Sequence, residues 1–278
     1  MRRAALALLP VALLVGACGS DEVTPIAIVA SSNASIGLGT PRVMFALIDP
    51  ETDEFLAAPD LKAMLTIRDE NGSPLGTYPM EFLWTVPDVR GLYVARPEIP
   101  EAATYQATID AEGYAPAGPV GFVAFENSPL IEPGEEAPPS ETRTSADFPD
   151  LAIISSDPDP DPAMYEMSIA EAVSDGTPAV IVFATPAFCT SATCGPLLDQ
   201  VKELRPDYEG INFVHVEIYE DLQVESTEEL TTVPATTEWG LPSEPWVFVV
   251  DGLGEVTAAF EGAASDAELV TTINAVAP

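Results

Sequence analysis

The chain has 278 residues, with 45 Asp and Glu against 10 Lys and Arg, giving a formal charge of −35. A surface that acidic repels phosphate backbones, which excludes nucleic-acid binding, and it argues against a basic patch for anionic membranes. The length accommodates two domains of ordinary size.

The first element in chain order is a leader. Met1, Arg2 and Arg3 make a short basic start, and AALALLPVALLV is an apolar run of signal-peptide length, too short to span a bilayer. It ends in VGACGS, where Val15, Gly16 and Ala17 precede Cys18. This resembles the lipobox of bacterial lipoproteins. The resemblance implies cleavage after Ala17, a diacylglycerol on the Cys18 thiol, and an extracytoplasmic chain anchored to the cell membrane by that lipid. Residues 1–17 are then the signal peptide and 18–22 a lipidated tether. Arg2 and Arg3 lack the rest of a twin-arginine motif, so general secretory export is expected. Their removal takes the formal charge from −35 to −37.

Lipidation of Cys18 leaves Cys189 and Cys194 as the only two of three cysteines free to pair. Export brings them into oxidising conditions. A bridge between them closes too small a loop to restrain the unfolded chain much, so the spacing favours redox work over stapling.

Residues 23–126 read as strands. PRVMFALIDP, AMLTIRDENGSPLGTY, GLYVARPEI, ATYQATIDAEGY and GPVGFVAFE are β-rich runs punctuated by Pro, Gly, Asn and Asp. DENGSPLG carries a hairpin signal. About seven strands in about a hundred residues predict an antiparallel, immunoglobulin-like β-sandwich. This region has no cysteine or histidine, so it is expected to serve as a spacer or binding module. Residues 127–148 are rich in Pro, Ser, Thr and Glu, lack periodicity and read as a linker.

From 149 to 278, helical and strand patterns alternate. SIAEAVSDG opens on the capping box Ser168/Glu171, and PAVIVFA is a strand apolar on both faces. GPLLDQVKELRPDY is helical, with Leu197, Leu198, Val201 and Leu204 on one stripe. INFVHVEIY is a strand, WVFVV and EVTAAFEG form a hairpin across DGLG, and SDAELVTTINAVA is a closing helix capped by Ser265/Glu268. The predicted fold class is therefore multidomain, β followed by α/β. SDPDPDP, from Ser156 to Pro162, suggests a calcium loop. However, Pro162 stands where such a loop needs glycine and Ser168 where it needs glutamate, so no metal is expected there.

The C-terminal region resembles the thioredoxin superfamily. The strand VIVFA runs into a cysteine pair at a helix start, NFVHVEIY follows that helix, and LPSEPWVFVV places Pro245 directly before the next strand. The resemblance implies a thioredoxin-like α/β domain, a cis Glu244–Pro245 bond, and a Glu244 backbone that receives a bound thiol or peptide. The residues themselves suggest the chemistry. A helix N-terminus favours the thiolate of Cys189, the exposed attacker, and Cys194, nearer the helix body, resolves the mixed disulfide. The expected activity is membrane-anchored thiol–disulfide exchange with protein thiols, disulfides and a redox partner, without a cofactor.

The four-residue spacing departs from the two of thioredoxins. Five positions apart in one regular helix, the two Cα atoms are too distant to bridge. Either the helix begins near Cys194 with Pro196 in its first turn, or a longer helix capped by Thr190 or Ser191 unwinds.

Three alternatives stand beside this activity. One group of peroxiredoxins shares the spacing, but the positions where they keep threonine and proline are Pro186 and Val182 here. They also need an arginine from a later strand, and the last arginine is Arg205. The Sco copper chaperones pair two cysteines with one histidine. His215, the only histidine, is predicted within a strand, either as a core residue or as a proton carrier for Cys194. The third alternative is a redox-inert binding lipoprotein. Trp239 and Trp246 flank the Pro245 loop, in core or rim packing or on a peptide-contact surface.

Overall fold

Successive side chains on a strand point to opposite faces, so alternating apolar and polar residues build a sheet buried on one side. The computed structural model, which describes residues 23–224 and 226–278, follows this rule through the N-terminal half. The leader, Cys18 and the tether lie outside the described residues.

Seven strands form one antiparallel sheet: β1 (Ile26–Val29), β2 (Val43–Ile48), β3 (Ala63–Arg68), β4 (Pro74–Val86), β5 (Arg90–Ala95), β6 (Thr104–Ala111) and β7 (Ala117–Val123). Their order is β1-β2-β5-β4-β3-β6-β7. The first half of the long β4 pairs with β3 and its second half with β5. The sheet thus folds over its own core of Phe45, Leu65, Ile67, Tyr93, Tyr105 and Ile109. It nearly closes, because Ala115 N–H donates to the Val23 carbonyl (3.0 Å). The hairpin between β3 and β4 turns at Asp69–Ser73. The Asp69 carboxylate accepts from the amides of Asn71 (2.9 Å) and Ser73 (2.7 Å), and Gly72 takes a positive φ.

The C-terminal half contains α1 (Ile169–Ser174), β8 (Ala179–Ala184), α2 (Cys194–Leu204), β9 (Asn212–Glu217), α3 (Pro234–Glu238), β10 (Trp246–Val250), β11 (Val256–Glu261) and α4 (Asp266–Val276). The four strands lie in the order β11-β10-β8-β9. β8 and β9 are parallel, and β10 is antiparallel to both β8 and β11. Every residue of β8 is buried. Val180 and Val182 pack with Leu197, Leu198 and Val201 of α2 and Leu269 and Ile273 of α4. Ile181 and Phe183 pack on the other face with Ile169 of α1 and Trp239. A strand covered on both faces must be apolar throughout, which explains the unbroken run AVIVFA. Both capping boxes form, at Ser168/Glu171 and Ser265/Glu268.

Residues 127–148, expected as a linker, instead form a strap packed on the C-terminal half. Leu130 and Ala137 enter its core, Ala137 N–H donates to Gly254 (2.9 Å), and Ser145 N–H donates to Tyr165 (2.7 Å). The composition suggested free chain because it lacks periodicity, but two small apolar anchors and scattered amide bonds are enough to fix it.

The two halves meet along β2. Unlike the alternating β3 and β6, this strand is buried on both faces for most of its length. Phe45 and Leu47 face the sandwich core, while Met44 packs with Leu83 and Val94 against Ala263. Polar contacts surround that patch. Arg42 and Arg96 both bind Glu268 (2.8 Å each), and Glu261 accepts from Ser32 N–H (3.0 Å) and Ser35 Oγ (2.6 Å). Burial works against ionisation of Glu268, but the two arginines and the Ser265 amide bring its carboxyl down to about 2. Among the described residues no helix is long and apolar enough to cross a membrane.

Candidate functional site

The site lies at the carboxyl end of β8. The chain leaves that buried strand at Thr185, turns through Pro186–Phe188, and presents Cys189 half-exposed. Ala192 adopts a positive φ, and its amide donates to the Cys189 carbonyl (3.3 Å), so the five residues before Cys194 fold back on themselves. Helix α2 then starts at Cys194 itself, with Pro196 in its first turn, where a missing N–H costs nothing. Of the two helix starts the sequence left open, this is the first. Cys189 therefore sits in front of the helix, and the bridging problem posed by a regular helix does not arise.

Both cysteines are free thiols, one half-buried and one fully buried. Cys189 Sγ accepts from the Cys194 amide (3.3 Å) and lies 3.1 Å from Ser191 Oγ. Ser191 Oγ in turn lies 2.8 Å from Thr193 Oγ1. The hydrogen bond from the Cys194 thiol, the Ser191 hydroxyl and the amides of Cys194 and Thr193 outweigh burial and lower the Cys189 pKa to about 5. The same thiol–thiol bond, together with burial, pushes Cys194 up. One sulfur is thus a thiolate at neutral pH and the other a protonated thiol.

The Glu244–Pro245 bond is cis, the geometry the resemblance implied, and so is Gly118–Pro119. Pro245 leads into β10, where Trp246 pairs with Phe183 of β8. Glu244 is half-buried. Burial, and then the charge of Cys189, hold its carboxyl above the usual range. Trp239 and Trp246 are core residues, packed against Phe248 at ring distances of 4.7 and 5.7 Å, and form no peptide-contact surface.

His215 is buried in β9, and both ring nitrogens are engaged. Nε2 faces the Ala184 carbonyl (3.2 Å) and Nδ1 faces Tyr165 Oη (2.6 Å). A carbonyl only accepts, so Nε2 carries the proton and Nδ1 accepts. Burial lowers the His215 pKa to about 4, which keeps the ring neutral. Neither ring contact is a cysteine. Among the described residues there is no group of three or more His, Cys, Asp or Glu that could hold a metal ion. The acidic run binds cations in and just after α2: Lys202 reaches Asp157 (2.8 Å) and Arg205 reaches Asp161 (2.6 Å).

Sequence reasoning missed two residues. Glu217 ends β9 on the same face as His215, opposite Ala184 in register. Its Oε2 accepts from the Ser156 amide (2.8 Å), while Oε1 is buried without a partner. Burial raises its pKa, although the nearby Thr185 and Ser156 oppose the shift. A cavity of about 80 Å³, large enough for water, borders Glu217, His215 and Tyr219. The sequence signal was there: an acid two residues after His215 in the strand run INFVHVEIY. The second is Arg90, whose guanidinium donates from the sandwich to the Ser191 carbonyl (2.6 Å) and stacks over Phe55 (4.8 Å). No local signal identifies Arg90, because its partner lies 101 residues away.

Compared with protein-family models and with curated proteins, the chain matches none.

Proposed function

We propose that the chain is a membrane-anchored, extracytoplasmic thiol–disulfide oxidoreductase whose residues 149–278 form a thioredoxin-like domain, joined to a β-sandwich of immunoglobulin type. The carrying observation is the asymmetry of the pair: a half-exposed Cys189 held down to about 5 and a buried Cys194 pushed up. The domain reading rests on the parallel β8 and β9, the antiparallel β10 and β11, and Cys194 at the start of α2. The anchoring reading rests on the leader and Cys18 alone.

In this mechanism the Cys189 thiolate attacks one sulfur of a partner disulfide, and the other partner sulfur leaves as a thiolate. Cys194 then gives up its proton and attacks Cys189 Sγ. The partner departs reduced, and Cys189 and Cys194 are left bridged, with two electrons transferred. Thr185 borders both the Glu217 carboxyl and the Cys194 thiol, which makes Glu217 the candidate acceptor for the Cys194 proton by way of Thr185.

The test is to equilibrate the purified chain in dithiol redox buffers and count alkylated thiols by mass. A reversible two-thiol transition is expected, and Cys189 alkylation should keep its rate down to about pH 5 before falling tenfold per unit. A pair that never cycles would leave the redox-inert lipoprotein reading. Consumption of hydrogen peroxide that disappears in Cys189→Ser would favour the peroxidase instead.

A further inference from the structure

The sequence offered the sandwich as a spacer or binding module, and the structure brings it to the reactive sulfur. A cleft of about 580 Å³ opens between the halves. Thr190, Ser191 and Glu244 line one side, while Ile28, Phe55 and Leu92 line the other. Thr190 and Ser191 directly follow Cys189, and Ser191 Oγ touches its sulfur. The cleft is therefore separated from the attacking sulfur by no more than the Ser191 side chain that lines it. Ile28 leaves an apolar side chain 44% exposed in that wall, and Arg90 ties the wall to the Cys189 loop.

The cleft is two-sided in chemistry as well as in origin. The sandwich wall sets apolar Ile28, Phe55 and Leu92 beside the hydroxyls of Ser31 and Thr85, and its cation, Arg90, is held on the Ser191 carbonyl and over Phe55. The opposite wall carries the Glu244 carboxylate, which among the described residues makes no ion pair. Glu244 and the Cys189 thiolate repel one another, so a cation placed between them is favoured by both. The strongly acidic chain attracts a cationic partner over longer distances.

The geometry points to this cleft as the docking site for a protein substrate: an extended, cysteine-bearing segment with a basic residue on one side of its cysteine and an apolar residue on the other. The apolar residue rests on Ile28 and Leu92, the basic residue meets Glu244, and the substrate sulfur faces Cys189. The sandwich is then half of the recognition surface. This inference rests on the thiol-exchange reading above.

The experiment uses the mature chain, pre-reduced, in single-turnover reactions. Three probes are compared: a peptide disulfide flanked by Lys and Leu, the same peptide flanked by Glu and Ser, and hydroxyethyl disulfide. The Lys/Leu peptide is expected to react about tenfold faster than the Glu/Ser peptide, a size set by one ion pair and one apolar contact. Ile28→Asp and Glu244→Gln should each shrink that ratio towards one. Ile28 is a surface position, so its substitution leaves the sandwich folded. Equal rates for the two peptides, or a ratio untouched by both variants, would overturn the docking site. If hydroxyethyl disulfide still reacts, the exchange reading survives that failure. If none of the three disulfides is reduced, the exchange reading falls, and the docking site with it.

Discussion

The two sheets bury their residues by different rules. In β3 and β6 buried and exposed positions alternate, whereas in β8 nothing is exposed. One face of the first sheet closes on its own core and the other meets solvent, so it needs no helices. The second sheet is covered on both sides, and its central strand must end where the cover ends. That end is where a side chain can be partly desolvated and still meet a partner, and Cys189 occupies it. The comparison also explains β2, whose burial on both faces from Val43 to Leu47 departs from the alternation of β3 and β6. Its outer face is covered by the second unit instead of by water.

The largest effect expected from breaking this contrast is chemical. Cys189→Ser should abolish disulfide exchange, while Cys194→Ser should trap a mixed disulfide at Cys189, visible by mass. Neither should alter unfolding of the sandwich. Next comes packing. Phe183→Ala, in the doubly covered strand against Trp239 and Phe248, should cost about 3–5 kcal/mol in denaturant unfolding. Met64→Ala, 39% exposed on the alternating β3, should cost no more than about 0.5 kcal/mol. Equal costs would erase the distinction between the sheets.

A pH effect follows. His215 is held neutral with a pKa near 4, so between about 6.5 and 4 the unfolded chain binds the proton that the folded chain refuses. Its contribution is full above that window and falls as pH drops through it, by up to about 3 kcal/mol. His215→Gln should flatten that part of the stability–pH curve. Comparable in size is the contact between the halves. Glu268→Gln removes the charge shared by Arg42 and Arg96 and should cost about 1.5–3 kcal/mol near neutral pH. The wild-type contribution should fade as pH falls from the ordinary glutamate range through about 2, where the folded carboxyl takes its proton.

Much of the fold was legible locally. Both capping boxes, the hairpin at Asp69–Ser73 and the continuous run AVIVFA each carry their conformation in a few neighbouring residues. The pairing of Cys189 and Cys194 was legible because both stand near a helix start and in sequence reach of one another. The strap over 127–148 was not, because its few anchors have no period.

The sequence by itself determined which segments become strand or helix and which two cysteines stand together before α2, since propensity, capping and chain spacing act over short separations. The helix start already favoured Cys189 as the acidic sulfur, and the tertiary structure decided how far its pKa falls, because that depends on the Cys194 amide and thiol folding back onto Cys189. It alone set Glu217 beside Thr185, Arg90 on the Ser191 carbonyl, and Ile28 across the cleft from Thr190 and Ser191. Those neighbours come from distant strands, and only packing of the two sheets sets their distances.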